Sequence, residues 1–277
     1  MNNQKPSAAM QLVYAIGTIG HAFESEAQED AMKQYAQQQD PTLDINRPAD
    51  LVKHLQDHPF EIDGIIWTLE MDGTPIYALR PANAYAHLTG GRLLSLFARQ
   101  TNDESHLASI PGTMTGQARL RSGQVVPAVD PGRAPILSWT VNTLVEEVLG
   151  QPPKAAAKQA EYMQQSEGIR NFLQRVTYEV RNLGQSPQER AMNFAATTAY
   201  KLGDVFADSV RAGLELDGIG VEKSPIQRPD SDSWDVKLTF FNPAKRLEQA
   251  RKVYRYTIDV SAVAPVQIGT VRSWSVY

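Results

Sequence analysis

Ile226-Gln-Arg-Pro-Asp-Ser-Asp-Ser-Trp-Asp-Val-Lys-Leu-Thr-Phe-Phe-Asn-Pro243 turns once and then launches a strand. Arg228 to Ser233 is dense in side chains that hydrogen-bond local backbone, the chemistry of a turn. From Trp234 the pattern alternates: Trp234, Val236, Leu238 and Phe240 fall on one side, Asp235, Lys237, Thr239 and Phe241 on the other. That period of two is the mark of a half-buried strand. Asn242-Pro243 closes it, because proline cannot donate to the ladder.

Strands lie around this one. Leu216 to Lys223 precedes it, and Val253 to Val260 and Val266 to Val276 follow, with a short helix over 244–250 between. Helices come before them. Ala156 to Leu183 reads as helix. Ser186-Pro-Gln-Glu189 is a capping box with proline at the first helical position, opening a helix over 187–214. Helices followed by strands predict an α+β fold with mixed or antiparallel sheets. Gly150-Gln-Pro-Pro153 divides the chain into two expected lobes, 1–150 and 151–277.

The first lobe carries a clear hairpin over 65–80. Asp72-Gly73 stands between two apolar runs and is the favoured two-residue turn. Before it, Gln11 to Gly20 reads as a strand ending in a glycine turn at Gly17-Thr-Ile-Gly20, then a helix from His21 to Gln39. A short helix capped by Asp50 ends at His58-Pro59. After the hairpin, 82–99 is helical, 107–110, 116–120 and 124–129 are short strands, and 138–149 is a helix.

With 277 residues, 42% hydrophobic and 21% charged, the chain can bury a substantial core. A net charge of −4 gives no general case for nucleic acid or an anionic membrane. There is no cysteine, which excludes disulfides, thiolate metal sites and cysteine nucleophiles, and makes the cytoplasm the expected compartment. No run of about 18 apolar residues predicts a membrane helix.

Candidate chemistry is sparse. His54 and His58 have the spacing of two ligands on one helix face, but a zinc site needs more ligands, and none stands at a matching spacing. Asp230, Asp232 and Asp235 invite a calcium loop. The glycine and glutamate that such a loop needs are replaced by Asp235 and Phe241, so turn capping is the better reading. Gly17 and Gly20 lack the third glycine of a dinucleotide fingerprint. His21 beside Ser25 has no triad pattern behind it. The basic residues from Lys245 to Arg255 are interrupted by Glu248 and read as a solvated face. Trp67, Tyr77, Trp139, Trp234 and Trp274 sit on or beside strands. They belong mainly to the core, and one left exposed would anchor a peptide.

Several unusual words occur in order: Tyr-Ala-Ile-Gly-Thr-Ile-Gly from Tyr14, Ile-Ile-Trp-Thr-Leu from Ile65, Thr-Pro-Ile-Tyr-Ala from Thr74 and Ser-Gly-Gln-Val-Val-Pro from Ser122. Ala-Met-Asn-Phe-Ala-Ala-Thr from Ala191, Leu-Glu-Leu-Asp from Leu214 and Val-Glu-Lys-Ser-Pro from Val221 follow, then the stretch quoted first. Together they resemble the region downstream of the protease domain in cyanobactin maturation proteases of the PatA/PatG type. The resemblance implies a role in maturing a ribosomally made peptide. The chain starts almost on the similar segment and shows no subtilase nucleophile motif, so protease and macrocyclase activities are not carried over, and no catalytic residue transfers.

The expected function is therefore a standalone, non-catalytic protein that holds a precursor peptide or a partner biosynthetic enzyme, without cofactor. Its expected contacts are Trp67, Tyr77, Arg228, Asp230, Trp234 and Asp235, and a homodimer is a further expectation. The alternatives are an enzyme that modifies or cyclises the precursor, with Asp230, Asp232, Asp235 and His21 converging in a cleft, and a scaffold subunit for other enzymes.

Overall fold

The computed structural model describes residues 10–82, 84–102, 106–179, 181–199, 212–226, 228–245 and 250–277. It is an α+β protein with a mixed, barrel-like sheet in the first half, an antiparallel sheet in the second, and helices packed on both.

Strand β1, Leu12–Ala22, runs straight through both glycines that the sequence suggested as a turn. The reason is steric. A Cβ on Gly17 would overlap the Glu70 carbonyl, and one on Gly20 would overlap the Glu70 carboxylate. The glycines let β1 lie close against β2, Ile66–Met71, rather than reverse the chain. β1 also changes partner here. Residues 12–17 pair with β4, His106–Arg119, and residues 18–22 pair with β2.

The hairpin of β2 and β3, Thr74–Leu79, turns at Asp72 and Gly73, with φ of 51° and 72°, as two-residue hairpins of right-handed twist require. β3 pairs in parallel with β5, Val125–Asp130, which is antiparallel to β4. Because β4 pairs back to β1, five strands form a closed ring. β6, Leu137–Thr140, adds to β4 outside it. The two short strands expected at 107–110 and 116–120 are this single β4. Its register shifts between Met114 and Gly116, and Gly116, at φ 139°, absorbs the irregularity.

Helix α1, Glu26–Gln39, begins later than expected, because His21 completes β1 opposite Trp67, and Ser25 accepts from the Gln28 amide as N-cap. α2, Pro48–Asp57, starts at its proline. Asp50 does not cap it but accepts from the Asp44 amide. A 3-10 turn over Pro59–Gly64 leads into β2, and α3, Ala86–Asn102, follows β3. Alternation along the strands sends Trp67, Leu69, Tyr77 and Leu79 into one core with Leu51, Leu55, Leu93 and Phe97 of the helices. Ile66, Ala78, Ala118 and Val126 form a smaller core on the other side. Residues 138–140, expected to start a helix, finish β6, and Thr140 caps α4, Val141–Leu149.

In the second half α5 covers Ala156–Glu179 and α6 covers Pro187–Ala199. The capping box forms: Ser186 Oγ accepts from the Glu189 amide, and Glu189 accepts from the Ser186 and Gln185 amides. The expected continuation over 200–211 lies outside the described residues, as do 246–249 of the expected helix at 244–250, where Pro243–Lys245 is a 3-10 turn. β7 (Glu215–Lys223), β8 (Ser233–Phe241), β9 (Arg251–Asp259) and β10 (Val266–Val276) form an antiparallel meander in the order β10-β9-β8-β7. Val236, Leu238 and Phe240 pack with Ala191 and Ala195 of α6, as the alternation requires.

The halves meet through an inserted backbone segment. Gly184, at φ 64°, accepts from the Tyr14 amide at 2.9 Å. The Tyr14 carbonyl accepts from Asn193 Nδ2 of α6 at 2.9 Å, and the Tyr14 ring meets Phe194 edge-on at 5.6 Å. Ser109 and Thr197 share a hydroxyl bond at 2.6 Å. No helix among the described residues is long and apolar enough to cross a membrane.

Candidate functional site

One recess, of about 380 Å³, lies at the ends of β2 and β3, within the usual range for small-ligand sites, roughly 300–1,000 Å³. Its inner wall is Ile62, Ile65, Ile66, Trp67 and Leu79, all buried. Its mouth carries Glu24, Gln28, Asp63 and Arg80; Ala86 of α3 also lines it, and buried Gly90 packs so closely on Ile62 that a Cβ there would stand 2.7 Å from its Cγ2. Glu24 and Arg80 face each other at 3.6 Å, exposed enough for water to weaken the pair. Gln28 Oε1 accepts from the Glu24 amide at 3.1 Å, tying the mouth to the start of α1. Trp67 is 2% exposed and packs edge-on against Phe97 at 5.8 Å. Its indole N–H is buried and meets no acceptor among the described residues. An unsatisfied buried donor costs about 1–3 kcal/mol, so this N–H is a hydrogen-bonding capacity that the described residues do not use.

The structure separates the residues proposed from sequence. Trp67 lines the cavity. Tyr77 does not: it is 1% exposed, and its hydroxyl donates to the Leu183 carbonyl at 2.6 Å and accepts from Gln185 Nε2 at 2.9 Å. Burial pushes its pKa up to about 12. It anchors the segment that joins the two halves. The Trp139 side chain lies outside those described.

The Arg228–Asp235 stretch is a turn, as its composition indicated. Ser231 Oγ accepts from the Arg228 amide at 2.9 Å and donates to the Arg228 carbonyl at 3.0 Å, and Asp230 adopts φ 63°. Arg228 and Asp230 are exposed at its tip. Trp234 is clamped by its own neighbours: its indole donates to Asp232 at 2.8 Å, the Lys223 ammonium sits 5.2 Å from its ring centroid, and Lys223 also pairs with Asp232. Asp235 is 1% exposed on the face of β8 opposite the apolar core. It accepts from Thr257 at 2.6 Å and lies 3.4 Å from the Arg255 guanidinium. These contacts hold the sheet together. His21 is on β1 beside Phe23 and Phe97, and burial lowers its pKa. No contact joins it to the three aspartates among the described residues.

The rings of His54 and His58 are tilted by 48° with centroids 4.9 Å apart, and His54 Nε2 meets Glu61 at 2.8 Å. Tyr35 packs on both rings. Among the described residues no group of three or more His, Asp or Glu side chains has the geometry of a metal centre.

Sequence reading missed the rest of the cavity. Glu24 and Gln28 flank the start of α1, Ile62 lies in the 3-10 turn, and Arg80 and Ala86 flank the start of α3, and no local spacing links these three segments.

The PatG Domain model matches residues 12–122 and the PatG C-terminal model matches residues 158–274, so the chain belongs to the PatG domain family. A solved structure titled "PatG Domain of Unknown Function" is similar over 96% of this chain and 99% of its own, with 34% identity and a TM-score of 0.85. No curated protein matches the chain.

Proposed function

We propose that this protein is a non-catalytic, cytoplasmic accessory in the maturation of a ribosomally made, cyanobactin-like peptide, and that it holds the precursor peptide at the Trp67 cavity. The observation that carries this reading is a recess whose apolar wall includes Trp67, a residue whose buried indole N–H meets no acceptor among the described residues. A peptide offers both complements, an apolar side chain and a backbone carbonyl. Burying one leucine-sized side chain contributes about 1.5–3 kcal/mol. Family membership supports the biosynthetic setting. The two lobes act together as the platform, and exposed Arg228 and Asp230 are a second contact region, for the peptide or for a partner enzyme. The reading requires no cofactor.

Calorimetric titration of the full chain with the precursor peptide encoded beside its gene tests the proposal, with the peptide mass checked afterwards. Micromolar binding, about −8 kcal/mol, with unchanged mass is the expected result, weakened by Trp67→Phe and abolished by Ala86→Trp, which plugs the mouth. A changed peptide mass would make the protein an enzyme. Absence of peptide binding, with a stable complex to another biosynthetic enzyme, would make it a scaffold. Either outcome overturns the reading.

A further inference from the structure

The antiparallel sheet has two edges, and they are built differently. β7, at one edge, carries Glu215, Asp217, Glu222 and Lys223, a bulge between Leu216 and Gly218, and the Gln188 side chain of α6 reaching its Val221 carbonyl at 3.5 Å. Charges, bulges and covering groups are the devices that keep a strand edge from pairing. β10, at the other edge, is 11 residues long. From Val266 to Tyr277 it holds no proline, lysine, aspartate or glutamate. Its irregularity falls before Arg272, so Arg272 to Val276 run in unbroken register along Arg251 to Arg255 of β9. Among the described residues no strand pairs with its outer side. Val271 faces the core shared with α6, so alternation places Ser273 and Ser275 on that side and Arg272, Trp274 and Val276 on the other. Trp274 is 37% exposed and Val276 43%.

We infer that β10 is the seam of a homodimer, in which two copies of the chain join edge to edge across a twofold axis at Trp274. The edge reads nearly the same in both directions about that residue: Val271-Arg-Ser-Trp-Ser-Val-Tyr277. Antiparallel pairing centred there sets Trp274 against Trp274, each Ser273 against a Ser275, each Arg272 against a Val276 and each Val271 against a Tyr277. These are aromatic–aromatic, hydroxyl–hydroxyl and β-branched–aromatic neighbours, the cross-strand pairs that favour antiparallel sheets. The one charge on this stretch meets an apolar residue, so no like charges oppose. The near-symmetry selects a second copy over an unrelated extended peptide, whose side chains have no reason to match it. Joining two four-stranded sheets leaves guarded β7 at both free edges, so growth stops at two copies. The seam is separate from the Trp67 cavity, and neither proposal depends on the other.

The test is sedimentation equilibrium of the full chain over a dilution series that starts at millimolar protein. A dimer that dissociates reversibly on dilution is the expected result. Trp274→Lys and Trp274→Glu each bring two like charges together on the axis and should weaken dimerisation roughly tenfold or more. An equimolar mixture of the two variants should recover a one-to-one heterodimer tighter than either forms alone. Damage to the fold would not give that recovery, so the mixture separates a lost seam from a lost sheet. A wild-type chain that stays monomeric throughout the series, an undiminished dimer in both variants, or a mixture no tighter than its components would each overturn the assignment. So would a monomer that takes up an extended peptide along β10.

Discussion

Tyr77→Phe removes one oxygen atom and tests how the two halves are joined. The hydroxyl it deletes makes two hydrogen bonds, to the Leu183 carbonyl at 2.6 Å and from Gln185 Nε2 at 2.9 Å. At 1% exposure, water has no room to replace them without rearrangement. Each bond contributes roughly 0.5–1.5 kcal/mol, so the variant should lose about 1–3 kcal/mol. Urea unfolding at neutral pH reads this as a lower midpoint with an unchanged slope. The pH dependence adds a second check. Burial raises the folded-state pKa to about 12, the Gln185 bond partly opposes it, and the Glu189 charge adds to it. In the unfolded chain the phenol titrates near 10. The fold therefore favours the neutral hydroxyl. Its contribution is fully present below pH 10 and is lost as pH rises through 12. The stability gap between wild type and Tyr77→Phe should narrow across that window. Equal stability at pH 7, or a gap that stays constant between pH 10 and 12, would refute the reasoning. Affinity for peptide at the Trp67 cavity should be unaffected, which separates Tyr77 from the binding role its sequence position suggested.

Three further substitutions probe other joints. Gly184→Ala combines a left-handed backbone, about 1–2 kcal/mol, with overlap of the Tyr14 carbonyl. A loss of about 3 kcal/mol, roughly 6–12 °C in melting temperature, is expected by calorimetry, and a wild-type melting point would show that the segment is not inserted as described. Asp235→Ala strips Thr257 and Arg255 of their buried partner; chemical denaturation should show a loss of about 3–5 kcal/mol, and a neutral result would mean that the carboxylate is solvated. Ser186→Ala deletes the acceptor of the Glu189 amide and should cost about 0.5–2 kcal/mol, with no effect on ligand affinity.

Much of the fold follows from local pattern. Asp72-Gly73 dictates its hairpin because both residues tolerate positive φ. The alternation from Trp234 to Phe241 dictates which face of β8 is buried. The Ser186-Pro187-Glu189 box starts α6 where it reads. Misreadings arose where a local signal had two physical uses. Gly17 and Gly20 look like a turn, but a glycine serves equally where another strand comes too close for a Cβ, and Glu70, the residue that comes close, is far along the chain. Asp50 looks like a cap, yet its carboxylate is used by the Asp44 amide and Pro48 sets the start. A break at Gly116 looks like two strands, although β4 absorbs it as a register shift.

Candidate residues divide in the same way. The sequence by itself determined the α+β class, the run of strands in the second half, the family and the aromatic residues worth testing, because those depend on patterns within short segments. Only the tertiary structure decided which of those aromatics has work left to do. Tyr77 and Trp234 already spend their polar groups on Leu183, Gln185 and Asp232, whereas the Trp67 indole meets no acceptor among the described residues and Trp67 borders a cavity. Glu24, Arg80 and Ala86 join Trp67 only because β1, β2 and β3 curl into a closed ring. Ring closure depends on pairings between residues far apart in the chain, and no local pattern records them.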